Sequence, residues 1–76
     1  MTTLVLGGTG FIGTRAIHRL AERGENVVCM DINSRAASFP GLEDKVSVMY
    51  GDITQFEDVI KAILASKPDR ILNLAY

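Results

Sequence analysis

The chain has 76 residues, of which 47% are hydrophobic and 22% charged, and its formal net charge is -1. This length allows at most one small domain, and the near-neutral charge gives no broad attraction to nucleic acid or to anionic lipid. The sequence has a single cysteine and no apolar run of membrane-spanning length. We therefore expect no internal disulfide, no nucleic-acid partner, no membrane association and a cytoplasmic setting.

The first predicted element is a buried strand over Thr2 to Leu6, which leads directly into Gly7-Gly8-Thr9-Gly10-Phe11-Ile12-Gly13. These glycines fit both G-x-G-x-x-G and G-x-x-G-x-x-G. A strand before such a segment and a helical pattern after it are typical of a turn that binds the pyrophosphate of a dinucleotide. The early glycines permit positive φ and close approach of a phosphate, and Gly13 permits close packing of helix on strand. The alternative is a plain tight turn.

A helix is predicted after the glycines, and Gly24 is expected to end it at the C′ position. Apolar residues at helical spacing define its inward stripe: Ile12, Ala16, Ile17, Leu20 and Ala21. His18 is interpreted as a solvated helix residue. One histidine and one cysteine on different elements offer no metal-ligand cluster, so we expect no metal site.

The second strand is predicted over Asn26 to Asp31, and its continuous apolar run is typical of a parallel strand buried on both faces. Asp31 lies eighteen residues after Gly13. A carboxylate there accepts hydrogen bonds from the adenosine ribose and repels a 2′-phosphate, which favours NAD over NADP. Alternatively, Asp31 is a surface carboxylate that ends a strand. Asn33 and Arg35 are further cofactor-binding candidates in the following loop.

Arg35 is evidence for NADP, because a guanidinium can pair with a 2′-phosphate. We favour its interpretation as a solvated loop cation. The segment from Ile32 to Asp44 is predicted as a loop with one helical turn around Arg35 to Phe39. Lys45 to Tyr50 alternates in polarity, which predicts an outer strand of the sheet.

The second helix is predicted to begin with a capping box formed by Thr54 and Glu57 and to end at Lys67 and Pro68. Its apolar stripe consists of Phe56, Val59, Ile60, Ile63 and Leu64. A last strand is predicted over Arg70 to Ala75. The fold class is therefore α/β: a three-layer, Rossmann-type, partial doubly wound parallel sheet with strand order 3-2-1-4.

With these pieces in place, the chain resembles the N-terminal part of the extended short-chain dehydrogenase/reductase family, which includes NAD-dependent sugar-nucleotide epimerases and dehydratases. The glycine motif and the Asn73-Leu74-Ala75 segment carry the resemblance, which spans the whole chain. It implies that the cofactor is NAD, with NADP less favoured. It also implies that the glycines Gly7, Gly10 and Gly13 contact the cofactor and that Phe11 and Ile12 lie along its pyrophosphate. Asp31 would contact the ribose, and Asp52 and Ile53 the adenine. Further cofactor contacts are implied for Leu74, Ala75 and Tyr76.

The family places its chemistry in a serine or threonine and a Tyr-x-x-x-Lys pair after the fifth strand. Tyr50 is followed four residues later by Thr54, and Tyr76 is the last residue, so neither tyrosine has this lysine. We expect residues 1–76 to be the truncated N-terminal part of a dinucleotide-binding domain and to contain no catalytic residue. Its partners would be the dinucleotide and the rest of its own polypeptide, or a second copy through strand four. The alternative is a non-enzymatic dinucleotide-sensing or scaffolding protein on the same fold.

Overall fold

The computed structural model describes residues 1–7, 10–33 and 39–74, with the backbone alone for Phe11. Four strands and two helices follow one another along the described chain: β1 (Thr2–Leu6), α1 (Phe11–Glu22), β2 (Asn26–Asp31), β3 (Val46–Tyr50), α2 (Phe56–Ser66) and β4 (Arg70–Asn73). Each predicted helix and strand is confirmed within one or two residues over the described part. The helical turn expected around residues 35 to 39 lies almost wholly outside the described residues.

The four strands form one parallel sheet in the order β3-β2-β1-β4, which confirms the predicted strand order. β1 is paired on both edges, so that Leu4 lies opposite Val28 of β2 and opposite Ile71 of β4. β3 is an outer strand, as its alternating pattern predicted. The chain therefore moves from β1 to one side of the sheet and returns to the other side through α2.

Alternate side chains of β1 enter two separate cores, because successive strand residues point to opposite faces of a sheet. Val5 packs in one core with α1, and Leu4 and Leu6 pack in the other core with α2. The first core also contains Ile17, Leu20, Ala21, Val27, Cys29, Phe39 and Val46. Helices thus cover both faces of the sheet, and the three-layer α/β architecture is confirmed.

The inward stripe of α1 is shorter than predicted. Ile17, Leu20 and Ala21 are buried, but Ile12 is 69% exposed, so its assignment to the core was wrong. The first turn of α1 has little sheet beneath it, because the helix begins where β1 has already ended. Gly24 has a φ of 85° directly after the C-cap residue of α1, which confirms its predicted place as the C′ residue.

His18 is not the solvated residue that the sequence predicted. Its side chain is half-buried, and its ring centroid lies 5.8 Å from that of Phe39 in a tilted arrangement. This contact connects α1 to the segment that links β2 to β3. His18 therefore serves packing between elements.

The apolar stripe of α2 is wider than the surface that the sheet covers. Ala62 is buried in the second core with Val59 and Ile63 packed against it, whereas Phe56 is 77%, Ile60 38% and Leu64 69% exposed. Of the five predicted stripe residues, Phe56, Ile60 and Leu64 therefore do not face the core. They lie on one shoulder of the helix, because residues at this spacing span more than the narrow strip that touches the sheet.

The capping box predicted for α2 was also wrong. The N-cap residue is Gln55, which makes no side-chain capping bond, and the hydroxyl of Thr54 donates to Asp52 instead. At the other end, Lys67 adopts a left-handed conformation with a φ of 45°, so the predicted end of the helix is confirmed. Neither α1 nor α2, the helices in the described part of the chain, is long and apolar enough to cross a membrane.

Three side chains tie the amino ends of β1 and β4 to the turn after α1. The buried Thr3 hydroxyl donates to Glu25 at 2.9 Å and accepts from Arg70 Nε at 2.9 Å. Arg70 also forms an ion pair with Glu25, whose side chain is 14% exposed. The Arg70 hydrogen bond lowers the pKa of Glu25, with a smaller contribution from Thr3, against the opposing effect of desolvation.

Acid should weaken this network. Because the pKa of Glu25 is lower in the folded chain than in the unfolded chain, its contribution to stability is complete above the ordinary glutamate pKa of about 4.3. The contribution is lost as the pH falls through the lower folded-state pKa. We expect Glu25→Gln to unfold at lower urea concentration than the unchanged chain at pH 7, with the difference shrinking toward pH 3. Urea midpoints across this range measure the effect.

Glu43→Gln is the matched control, because Glu43 is an exposed glutamate outside the network. Its midpoint should follow that of the unchanged chain at every pH. A difference for Glu25→Gln that is the same at pH 7 and pH 3 would show that the charge of Glu25 does not contribute.

Candidate functional site

The carboxyl ends of the four strands meet at one edge of the sheet, because the strands are all parallel. Main-chain hydrogen bonds extend the pairing just past the ends of the strands. They run from Gly7 N–H to Met30 O at 2.8 Å, from Gly51 N–H to Asp31 O at 3.2 Å and from Leu74 N–H to Leu6 O at 2.8 Å. These bonds fix the backbone of the loops that leave the sheet, and so they position the side chains at this edge.

A cleft of about 380 Å³ opens at this edge of the sheet. It is lined by Gly7, Met30, Asp31, Ile32, Gly51, Asp52, Ile53, Thr54 and Leu74. Five candidates from the sequence, namely Gly7, Asp31, Asp52, Ile53 and Leu74, are thus brought together. The volume of the cleft falls within the range of about 300–1,000 Å³ that is usual for small-molecule sites.

The glycine turn lies between β1 and the start of α1. Gly7 has a φ of 83°, a conformation that glycine adopts without strain. Gly10 is the N-cap residue of α1, and its carbonyl accepts the N–H of Thr14 at 2.9 Å. A Cβ built at Gly10 would meet no atom within 4 Å. The absence of a side chain at Gly10 is therefore not required by packing within the described chain.

The start of α1 has the character of an anion site. The first N–H groups of a helix have no intrahelical acceptors, and the helix dipole makes this end positive. Ile12 lies exposed in this first turn, and Gly13 is buried. Gly8, Thr9 and the side chain of Phe11 lie outside the described residues.

Asp31 is the last residue of β2 and is 8% exposed. Its Oδ1 accepts the main-chain N–H of Asn33 at 2.9 Å, so the loop after β2 holds the carboxylate in place. The side chain of Asn33 is exposed and does not line the cleft. Arg35, Ala75 and Tyr76 lie outside the described residues, and their predicted contacts stay predictions.

Asp52 stands beside Asp31 in the cleft, in the turn after β3. Its Oδ1 accepts from both the hydroxyl of Thr54 at 2.7 Å and the main-chain N–H of Thr54 at 2.9 Å. The hydroxyl bond, followed by the main-chain bond, lowers the pKa of Asp52. Asp52 is therefore an ionised acceptor at neutral pH, suited to receive N–H or O–H groups of a ligand.

Four cleft residues were not among the sequence candidates: Met30, Ile32, Gly51 and Thr54. A Cβ at Gly51 would lie 2.4 Å from Sδ and 2.5 Å from Cγ of Met30, so a side chain at position 51 requires this buried methionine to shift. A glycine between the end of a strand and an aspartate was the available signal for Gly51. Thr54 was assigned to helix capping, which obscured its bond to Asp52.

The described residues contain no group of three or more histidine, cysteine, aspartate or glutamate side chains that could hold a metal ion. Among the described residues, the cleft is lined by two carboxylates, two glycines, Thr54 and apolar side chains, and no residue of α1 lines it. The carboxylates can accept hydrogen bonds from hydroxyl or amino groups of a ligand, and the N-terminus of α1, outside this lining, can receive an anionic group.

The chain is similar to known proteins in both sequence and fold. The UDP-glucose 4-epimerase of Yersinia enterocolitica is 35% identical over 82 residues, which cover 99% of this chain and 24% of that protein. A 3-beta-hydroxysteroid dehydrogenase of Mycolicibacterium neoaurum is 40% identical over 60 residues, which cover 79% of this chain and 16% of that protein. The crystal structure of Thermus thermophilus UDP-glucose 4-epimerase, a complex with NAD, superposes with a TM-score of 0.78 and 29% identity over 99% of this chain and 24% of that chain.

The chain spans a quarter or less of the length of these relatives. The sequence profile of the NAD dependent epimerase/dehydratase family matches residues 3–76, which is nearly the whole chain. The parallel sheet with order β3-β2-β1-β4 agrees with that match. The chain therefore belongs to the NAD dependent epimerase/dehydratase family.

Proposed function

We propose that this chain binds the adenosine and pyrophosphate part of NAD and forms the cofactor-binding portion of an NAD-dependent epimerase, dehydratase or related oxidoreductase. The observation that carries the proposal is the placement of Asp31 and Asp52 in one cleft with Gly7. The complex of the Thermus thermophilus epimerase with NAD supports it.

The residues of the cleft fit this cofactor. The open space beside Gly10 and the N–H groups at the start of α1 suit the pyrophosphate, as the phosphate-binding turns of dinucleotide folds require. Asp31 supplies an acceptor for the ribose hydroxyls, and Asp52 supplies one for the base. Ile53 and Leu74 provide apolar walls.

NAD supplies hydride exchange with a substrate, and this chain's residues bind and orient the cofactor. We propose a nucleotide-sugar-like substrate, which the name of the Yersinia enterocolitica relative supports. A relative named for a steroid matches the same part of the chain. We therefore assign substrate choice to residues outside the part of the sequence that both relatives match.

The buried, reduced thiol of Cys29 fits a cytoplasmic setting.

Substitution of Gly10 tests the pyrophosphate assignment. Gly10→Val should lower NAD affinity by at least about tenfold, since a branched side chain fills the space that the pyrophosphate needs. Gly10→Ala should give a smaller loss. The fold should persist in both, because the φ of Gly10 is -76° and its Cβ meets nothing nearby. Calorimetric titration with NAD measures affinity, and circular dichroism measures helix content.

Ala65→Val is the control, because Ala65 is exposed on α2 and does not line the cleft. Its affinity for NAD should match that of the unchanged protein. Unaltered affinity in Gly10→Val would show that the glycine turn has a structural role alone.

Asp31 should set the choice between the two dinucleotides. The unchanged protein is expected to bind NAD more tightly than NADP, because a buried carboxylate repels the 2′-phosphate. Asp31→Ala should narrow the ratio of the two affinities, whereas Asp44→Ala removes one exposed carboxylate outside the cleft and should leave it unchanged. Equal or tighter binding of NADP by the unchanged protein would refute this assignment.

We also propose that β4 contacts the rest of its own polypeptide or a second copy. β4 is an outer strand of the described sheet, and its Ile71 is 48% exposed on the α2 face. Sedimentation at micromolar concentration should show self-association of the isolated chain, which Ile71→Lys reduces. Leu64→Lys places the same charge on the shoulder of α2 and should have no such effect. A monodisperse monomer that unfolds cooperatively would contradict the proposal.

A further inference from the structure

The turn between β3 and α2, residues 51–55, holds Asp52 from two directions. Thr54 donates twice to Oδ1 of Asp52. The main-chain N–H of Asp52 donates in turn to Oδ2 of Asp58 at 2.9 Å. Both the carboxylate and the backbone of Asp52 are thereby fixed by residues of its own turn and of the helix that follows.

Asp58 is anchored independently of this bond. It lies in the first turn of α2, where its N–H donates to the carbonyl of Gln55 at 3.0 Å. A carboxylate at this end of a helix is stabilised by the helix dipole. Asp58 is half-buried and does not line the cleft, so it reaches the site only through Asp52.

The geometry leaves Asp52 with one oxygen for a ligand. In the described part of the chain, both hydrogen bonds that its carboxylate accepts go to Oδ1. An ionised carboxylate only accepts hydrogen bonds, so the group that it recognises must be a donor. Of the purine bases, adenine carries an amino group on C6, whereas hypoxanthine carries a carbonyl oxygen there.

We propose that Asp58 and Thr54 are positioning residues that hold Asp52 as the acceptor for the C6 amino group of the cofactor's base. This inference rests on the proposed function and adds to it the means by which the site distinguishes a 6-amino purine from a 6-oxo purine. Asp58 sets the position of the Asp52 backbone, and Thr54 directs its carboxylate. Asp58 does not line the cleft and acts through Asp52.

The test compares NAD with nicotinamide hypoxanthine dinucleotide, which differs at this position of the base. The unchanged protein should prefer NAD by roughly tenfold, the size of one charge-assisted hydrogen bond. Asp58→Ala should bring this ratio to within about twofold. Asp58→Asn should keep it, because its amide oxygen still accepts the N–H of Asp52. Calorimetric titration of the purified protein with each dinucleotide gives the ratio.

The ratio of NAD to NADP affinity serves as an internal control at the ribose end of the cofactor. Asp58→Ala should leave that ratio unchanged, whereas Asp31→Ala should change it and spare the base preference. A purely structural role for Asp58 would move both ratios or neither.

Thr54→Val gives a second, independent variant, since Thr54 is exposed and the change is nearly isosteric. It removes the hydroxyl donor and should lower the base preference even if Asp58→Ala does not fold. An undiminished preference in a folded Asp58→Ala, or in Thr54→Val, would overturn the inference while leaving the proposed function standing. Loss of the preference in Asp58→Asn would overturn it as well. Failure of the unchanged protein to bind NAD would overturn the proposed function and this inference together.

Discussion

Parallel hydrogen-bond ladders hold β1 on both of its edges, and the positions of the other elements follow from that pairing. A parallel neighbour requires a crossover, and crossovers in such sheets are right-handed. The path toward β2 therefore places α1 on one face, and the return toward β4 places α2 on the other. The order in which strands are added to the sheet changes side at β1, because β2 and β3 lie on one side of it and β4 on the other. Ligands of open parallel sheets bind where the strand order changes side in this way.

The two ends of the sheet have different chemistry. At the amino ends, the charges of Glu25 and Arg70 are paired with each other and with Thr3, which joins β1, β4 and the turn after α1. At the carboxyl ends, Asp31 accepts the main-chain N–H of Asn33, and Asp52 accepts both the main-chain N–H and the hydroxyl of Thr54. One end of the sheet is thus joined by an ion pair, and we propose that the carboxylates at the other end receive a ligand.

Much of the fold could be predicted, because the spacing of apolar residues and glycines reflects burial and backbone conformation within each strand and helix. The apolar runs of β1 and β2 reflect burial on both faces, and Gly24 marks a conformation that few other residues adopt. Asp31 could be placed for the same reason, since it ends a strand beside a glycine turn. These features depend on local periodicity and on the parallel topology.

The errors arose where two elements meet. Ile12 and Phe56 have the spacing of core residues, but the extent of the sheet beneath each helix decides whether they are covered. Thr54 has the spacing of a capping residue, yet Asp52 offers its hydroxyl a better acceptor. The bond from Asp52 to Asp58 spans six residues and has no periodic signature. Contacts of this kind, between residues of different elements, cannot be inferred from the residue spacing in a single sequence.

The close approach of Gly51 to Met30 restricts how this site can change over evolutionary time. A methyl group at position 51 would lie 2.4 Å from the sulfur of a methionine that is 1% exposed. A shorter side chain at position 30 would leave a cavity, whereas a larger residue at position 51 would overlap the methionine. The two positions are therefore coupled, since a side chain at position 51 requires Met30 to shift or to be replaced by a shorter residue.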